Sequence, residues 1–448
     1  MRRWAILIFL LMVSIIAPAL FIESALFSRV VTVAAICLIL WLSELVPPFV
    51  PSLILWTLTP LLLVSLDNRF HLGTVLSWAA DPVLLLFLGG FAIGVATERY
   101  GFDKKLAQLS LKASGKSFPK FLFLTIFLTA FLSMWMSNIA AAALMLACLR
   151  PIAKHFEDND RLRRMLLVGI ALGANIGGIS TPVGTGPNAI AVAHVSAVIR
   201  VSFLDWMFLA LPLAFGMLIF GYLILIFRSD LRHQKTENLP AKLSLQNAEE
   251  SKFGFREIGF VMVVSMTVLA WLTEPLHGIS ASIVALGATS VLFLSGLLKA
   301  KDLSKIDWST LILIAGGITL GKLLEQTRIV KALAENISWQ ELNPTVGLFL
   351  LCFASAILAA LMSNTATAVL LIPLASAFFP EPSTAILIAI SASFGMPFVI
   401  STPPNAMVYG EGGVKFKDLF LPGIILMLTG CLLVSLTGRF ILNLAGIP

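Results

Sequence analysis

Four stretches of the chain, residues 121–149, 165–199, 345–379 and 384–410, run for 27 to 35 positions without one Asp, Glu, Lys or Arg. A folded surface in water cannot be built from such runs, because soluble domains carry about 25% charged residues. Over all 448 residues only 12% are charged and 58% are hydrophobic, with a mean hydropathy of +0.96. A soluble enzyme, a nucleic-acid binder and a disordered chain are excluded on these grounds. The cysteines Cys37, Cys148, Cys352 and Cys431 sit apart inside apolar stretches, so neither a disulfide framework nor a zinc site is signalled. The chain reads as an all-α integral membrane protein.

A membrane crossing takes about 20 mostly apolar residues. On that measure eleven spans fall near 5–22, 30–46, 50–66, 82–98, 165–198, 206–227, 257–273, 279–298, 308–325, 384–410 and 418–441. Residues 121–149 and 345–379 differ, because a Ser-Asn pair splits each into two short arms. Such arms suit re-entrant hairpins, whose irregular tips survive only when buried in protein or lining a cavity. With the N-terminus in the cytoplasm, 24 of the 31 Lys and Arg fall on cytoplasmic segments. The positive-inside rule thus supports a cytoplasmic N-terminus and an external C-terminus, and the net charge of +7 reports orientation. Residues 1–21 have no small-residue cleavage site and read as the first span.

The two halves repeat. Trp41-Leu42-Ser43-Glu44 returns as Trp271-Leu272-Thr273-Glu274, Gly89-Gly90 as Gly316-Gly317, and Ser137-Asn138 as Ser363-Asn364. Ser180-Thr181-Pro182 returns as Ser401-Thr402-Pro403, and Pro187-Asn188-Ala189 as Pro404-Asn405-Ala406. Each unit holds five crossings and one hairpin. An odd number of crossings makes the units antiparallel, the arrangement of secondary transporters with substrate near the midplane. Glu44 and Glu274 close their spans beside Pro47 and Pro275 and read as interfacial.

Polar clusters sit at the hairpin tips, Ser133 to Ile139 and Met362 to Thr367. Two more interrupt the fifth and tenth crossings, at Gly173 to Asn188 and at Ser393 to Asn405. The prolines in Thr181-Pro182-Val183-Gly184-Thr185-Gly186-Pro187 and Thr402-Pro403-Pro404 break these helices, because proline lacks a donor and clashes with the preceding turn. Small and polar residues in membrane helices often serve packing alone, and Gly173 and Gly177 have the spacing of a close helix contact. Two symmetric pairs of clusters, however, point to a binding site. The charge-free stretches leave His194 as the lone ionisable group, so proton coupling is disfavoured. A hard cation held by neutral oxygens fits better, and an anion would lie against half-helix N-termini. No motif of an intramembrane protease is present, and a channel does not call for paired broken helices.

The paired Ser-Asn tips, with Gly184-Thr185-Gly186-Pro187-Asn188 and Ser401-Thr402-Pro403-Pro404-Asn405, resemble the divalent anion:sodium symporter family of dicarboxylate, citrate and sulfate carriers, within the ion-transporter superfamily. The resemblance spans residues 30–441. It implies eleven transmembrane helices plus two re-entrant hairpins, two inverted-topology repeats, an elevator-type transporter and a homodimer in the inner (cytoplasmic) membrane. It divides the chain into scaffold (1–120 and 257–344) and transport domain (121–227 and 345–448), with a cytoplasmic linker at 228–256. Carried over, Ser133, Ser137, Asn138 and the backbone around Ser180 would hold one sodium ion. Ser363, Asn364 and the backbone near Ser401 would hold a second. Asn138, Thr181, Asn364, Thr365, Thr402 and Pro403 would hold the anion. The implied function is sodium-coupled uptake of succinate, malate, fumarate, citrate or 2-oxoglutarate. A sodium-independent exchanger or a sulfate carrier of the same fold is the alternative. Two positions depart from the pattern: Ile139 stands where a threonine is expected, and Ala359 stands opposite Ser133.

Overall fold

The computed structural model describes residues 2–43, 45–101, 113–115, 117–154, 160–196, 198–228, 254–329, 343–444 and 446–447. Glu44 and most of the expected 228–256 linker lie outside them. The described chain is helical, with no sheet. Its helices are α1 (Arg2–Phe21), α2 (Ala25–Ser43), α3 (Val50–Leu63), α4 (Leu72–Ala79), α5 (Val83–Arg99), α6 (Phe118–Ser133), α7 (Asn138–Lys154), α8 (Asp160–Gly177) and α9 (Gly186–Val195). Then follow α10 (Phe203–Arg228), α11 (Phe255–Leu272), α12 (Ala281–Leu294), α13 (Trp308–Gln326), α14 (Pro344–Leu361), α15 (Asn364–Phe378), α16 (Pro382–Ala392), α17 (Pro403–Gly410) and α18 (Phe416–Leu444).

Among the described residues five helical segments are long and apolar enough to cross a membrane: 161–180, α10, α11, α13 and α18. A sixth arises if α4 and α5, bent by 48°, act as one span. That bend lies just ahead of the expected fourth span, where Pro82 follows Asp81 and excludes a continuous helix. The apolar tracts around the two Ser-Asn pairs fold as helical hairpins, α6/α7 and α14/α15. The fifth and tenth expected spans are split helices, α8/α9 and α16/α17, with non-helical residues between their halves.

Contacts between elements come in matching sets. Hairpin arm α6 packs on α8, and α14 on α16. Each short half-helix packs against the other half of the chain: α9 on α15 and α16, α17 on α7 and α8. Likewise α5 packs on α12 and α13 on α3, while α10 and α18 meet directly. Glycine permits the closest of these approaches. A Cβ at Gly177 would fall 2.4 Å from Ala130 Cα, and one at Gly395 would fall 2.6 Å from Ala356 O. A Cβ at Gly89 would fall 2.6 Å from Ala285 Cβ, and one at Gly316 would meet Ser52. The repeated glycines therefore mark helix crossings.

The repeated tryptophans are structural too. Trp41 Nε1 donates to Pro48 O (2.9 Å) and Trp271 Nε1 to Ala281 O (3.0 Å), so each indole ties its helix to the segment that follows. Trp271 also stacks on Phe203, which stacks in turn on Trp135 of the first hairpin tip. Glu274, read as interfacial, is instead 4% exposed. It accepts from Arg200 (2.8 Å) and from the Phe203 backbone N–H (3.2 Å), which meets the cost of burying its charge.

Candidate substrate and cation site

Both hairpin tips and both helix breaks meet at one cavity of about 630 Å³. From the tips come Ser137, Asn138 and Ile139, and Ser363, Asn364 and Thr365. The breaks contribute Gly184, Thr185 and Gly186 on one side and Ser401 to Pro404 on the other. Trp41, Phe87, Phe91, Asp307 and Thr310 form the facing wall.

Four helices, α7, α9, α15 and α17, begin at residues that line this cavity. Their N-termini bring positive dipole ends to one place, a ready anion site, although α17 opens with Pro403-Pro404, which have no N–H, and its Asn405 N–H is taken by Thr402 Oγ1 (3.4 Å). Among the described residues no Lys, Arg or His lines the cavity, and the one charged group is Asp307. Asp307 caps α13 and accepts from the Thr310 N–H (3.0 Å) and from Thr310 Oγ1 (2.6 Å). A second cavity of about 310 Å³ shares Phe91, Ser137 and Asp307 with the first and extends to Glu98 and Lys305.

The tip serines have a local task. Ser137 Oγ accepts from the Ala140 N–H (3.2 Å) and Ser363 Oγ from the Ala366 N–H (3.4 Å). They are N-caps of the second hairpin arms. Each is followed by an asparagine at the start of the helix, and behind Asn138 lies a group of oxygens. Around Asn138 these are Ser133 Oγ, Ala174 O and Gly184 O. Turned with Nδ2 inward, the amide donates to Ser133 Oγ (2.8 Å), Ala174 O (3.2 Å) and Gly184 O (3.2 Å). With Oδ1 inward it completes a four-oxygen nest that suits a small cation. On the other side Ser401 Oγ donates to Ala360 O (2.9 Å) and accepts from the Phe398 N–H (3.0 Å). Asn364 Oδ1 is buried with no partner among the described residues, which is costly unless a donor or cation meets it. Ala359, fully buried, offers no hydroxyl where the first side has Ser133.

Each break is strapped by an asparagine. Asn188 Nδ2 donates to Gly178 O (3.0 Å) and Thr181 O (2.8 Å), and Asn405 Nδ2 donates to Met396 O and Phe398 O (2.9 Å each). These bonds pair backbone carbonyls that the broken helices leave free.

Of the residues singled out in the sequence, Asn138, Ser137, Ser363, Asn364, Thr365, Ser401, Thr402 and Pro403 line the cavity. Ser133 lies directly behind Asn138, and its hydroxyl donates to Ala174 O (2.7 Å). Ser180 and Thr181 are buried away from the cavity wall, and the Thr181 hydroxyl donates to Met134 O (2.5 Å). The threonine that does line the cavity from the first break is Thr185. Its signal was present: Thr185 stands three residues before Asn188, as Thr402 does before Asn405. Register taken from Ser-Thr-Pro misplaces it, because the first break is four residues longer at that point. Asn175, Asp307 and Thr310 also line the cavity and carried no repeat signal.

Known proteins are similar along nearly the whole chain. The family model CitMHS, described as citrate transporter, matches residues 38–385 and 269–446. An uncharacterized transporter of Haemophilus influenzae is 32% identical over 425 residues, covering 89% of this chain and 88% of the relative. The sodium-dependent dicarboxylate transporter SdcS of Staphylococcus saprophyticus is 26% identical over 440 residues, covering 90% and 83%. Among solved structures, the YdaH transporter of Alcanivorax borkumensis superposes with a TM-score of 0.59 at 14% identity, covering 88% of this chain and 97% of that one.

Proposed function

The chain belongs to the citrate transporter family, a family of membrane transporters and not enzymes, and from that premise we propose that it couples sodium to uptake of a small di- or trivalent anion, a di- or tricarboxylate. The observation that carries this reading is the convergence of four helix N-termini on a cavity with no basic side chain among its described lining residues, backed by the oxygens around Asn138 and the unpartnered Asn364 Oδ1. Amides and helix ends then receive the anion, while sodium in the oxygen groups supplies the positive charge. The SdcS relative, named for sodium-dependent dicarboxylate transport, supports the same assignment.

In this reading Ser133, Asn138, Ala174 O and Gly184 O hold the first ion, with Ser137 capping the tip. Asn364, Ser363 and the backbone near Ser401 hold the second. Asn138, Asn364, Thr365, Thr402, Pro403 and Thr185 meet the anion; Thr185 takes the role that the sequence pattern assigned to Thr181. The two halves form inverted repeats, which the matched contacts of α9 and α17 support. Residues 121–227 and 345–448 move as one body against a dimeric scaffold of 1–120 and 257–344. The N-terminus faces the cytoplasm and the C-terminus the outside.

Uptake of labelled succinate and citrate into proteoliposomes, with and without an inward sodium gradient, tests the proposal. Accumulation that requires sodium is expected. Uptake indifferent to sodium but dependent on internal dicarboxylate identifies an exchanger and overturns it.

A further inference from the structure

Asn175, in the last turn of α8, lies between hydrogen bonds that run to both hairpins. Ser133 of the first hairpin donates to Ala174 O (2.7 Å), the neighbouring residue. Asn175 Nδ2 then reaches across to Asn405 Oδ1 (3.0 Å), 230 positions away. Asn405 Nδ2 donates to Phe398 O, the Phe398 N–H donates to Ser401 Oγ, and Ser401 donates to Ala360 O of the second hairpin. The side chains in this line are buried, Asn175 and Asn405 at 1% exposure each. Orientation is fixed by the network itself. The Asn405 nitrogen is committed to Met396 O and Phe398 O, so its oxygen must accept and Asn175 must present Nδ2. That leaves Asn175 Oδ1 buried without a partner among the described residues, on a residue of the cavity wall.

The bond has no mirror image. Gly177 and Gly395, each pressed on a hairpin arm, bring Asn175 into register with Ser393. Among the described residues Ser393 Oγ bonds only within its own helix, to Ala389 O (3.4 Å). Asn188, the counterpart of Asn405, has its Oδ1 unpartnered among the described residues. Local straps hold each break separately, and among the described residues this one asparagine pair ties the breaks side chain to side chain.

We infer that Asn175 is a positioning residue that makes the two cation sites fill in concert. The inference rests on the two-ion sodium reading above. An ion in the first nest fixes the backbone at Ala174 and hence Asn175. Asn175 fixes Asn405, and Asn405 fixes the carbonyls of Met396 and Phe398 beside Ser401. Without the bond the two sites fill independently, although each keeps its own ligands.

Sodium-activation curves for uptake, with sodium-dependent shifts of Tm as a second readout, test this in the wild type, Asn175→Ala, Asn175→Ser and Ser393→Ala. The wild-type curve should be sigmoidal, with a Hill coefficient approaching about 2, the number of coupled sites. Both Asn175 variants should flatten it toward about 1 and raise half-saturating sodium about tenfold, with maximal uptake at saturating sodium kept within about twofold. Ser393→Ala should leave the curve unchanged. A purely structural role would lower maximal uptake and Tm without changing the slope, and that result overturns the inference. So does a wild type that is driven by sodium with a slope of about 1, which leaves the transport reading standing. Sodium-independent wild-type uptake removes both.

Discussion

Asn138 and Asn364 each occupy the first position of a helix, next to a serine that caps it; Asn138 meets Ser133 Oγ (2.8 Å), and Asn364 Oδ1 is buried without a partner among the described residues. Replacing either with alanine should reduce sodium-driven uptake at least about 100-fold, because an ion ligand and an anion donor go together. Membrane insertion and Tm should change little, since the caps remain. Comparable uptake by either variant removes these residues from the site. The two threonines of the first break separate more finely. Thr185→Ala should raise the apparent KM for the anion about tenfold, as loss of one hydrogen bond to a charged group does. Thr181→Ala should cost about 1 kcal/mol of stability through the lost bond to Met134 O, with KM within about threefold. The reverse pattern would restore Thr181 as the contact. Ile139, 44% exposed on the cavity side of the tip, presents a side chain with no donor. Ile139→Thr should shift competition among succinate, citrate and sulfate, and an unaltered profile would deny it a part in selection.

Much of the element order is legible in the sequence. Proline and the Ser-Asn pairs state where helices stop, and each hairpin tip falls at its predicted pair because serine caps the second arm. The repeated Gly-Gly and Trp motifs prove to be packing devices, at the α5–α12 and α13–α3 crossings and at the Trp41 and Trp271 straps. Pro82 marks the break between α4 and α5, but α4 itself was not legible, because eight residues are too few to read as a span. Nor was the Asn175–Asn405 bond, since its partners lie 230 positions apart and Asn175 belongs to no repeated motif. Buried Glu274 misled for a similar reason: its partner Arg200 belongs to a distant loop. Crossing geometry makes its own prediction. Gly316→Ala forces a Cβ into Ser52, and overpacking of this kind costs about 1–3 kcal/mol. Ser52→Gly in the same chain should recover most of that loss. A Tm for Gly316→Ala equal to wild type would show that α3 and α13 are free to separate.

Across the molecule, the asymmetry of Lys and Arg sets a topology that can be checked directly. A cysteine introduced near the C-terminus, at Asn443, should react with a membrane-impermeant maleimide applied from outside, and one at Lys417 should not. The reverse labelling would invert the proposed orientation. Asp307 has a consequence for the economy of the whole cycle. Among the described residues the one formal charge on the cavity wall is negative, so the helix ends hold a bare anion there only weakly until cations arrive. Transport by this chain should therefore be resistant to slippage, in which the anion runs down its own gradient and leaves the ion gradient unused.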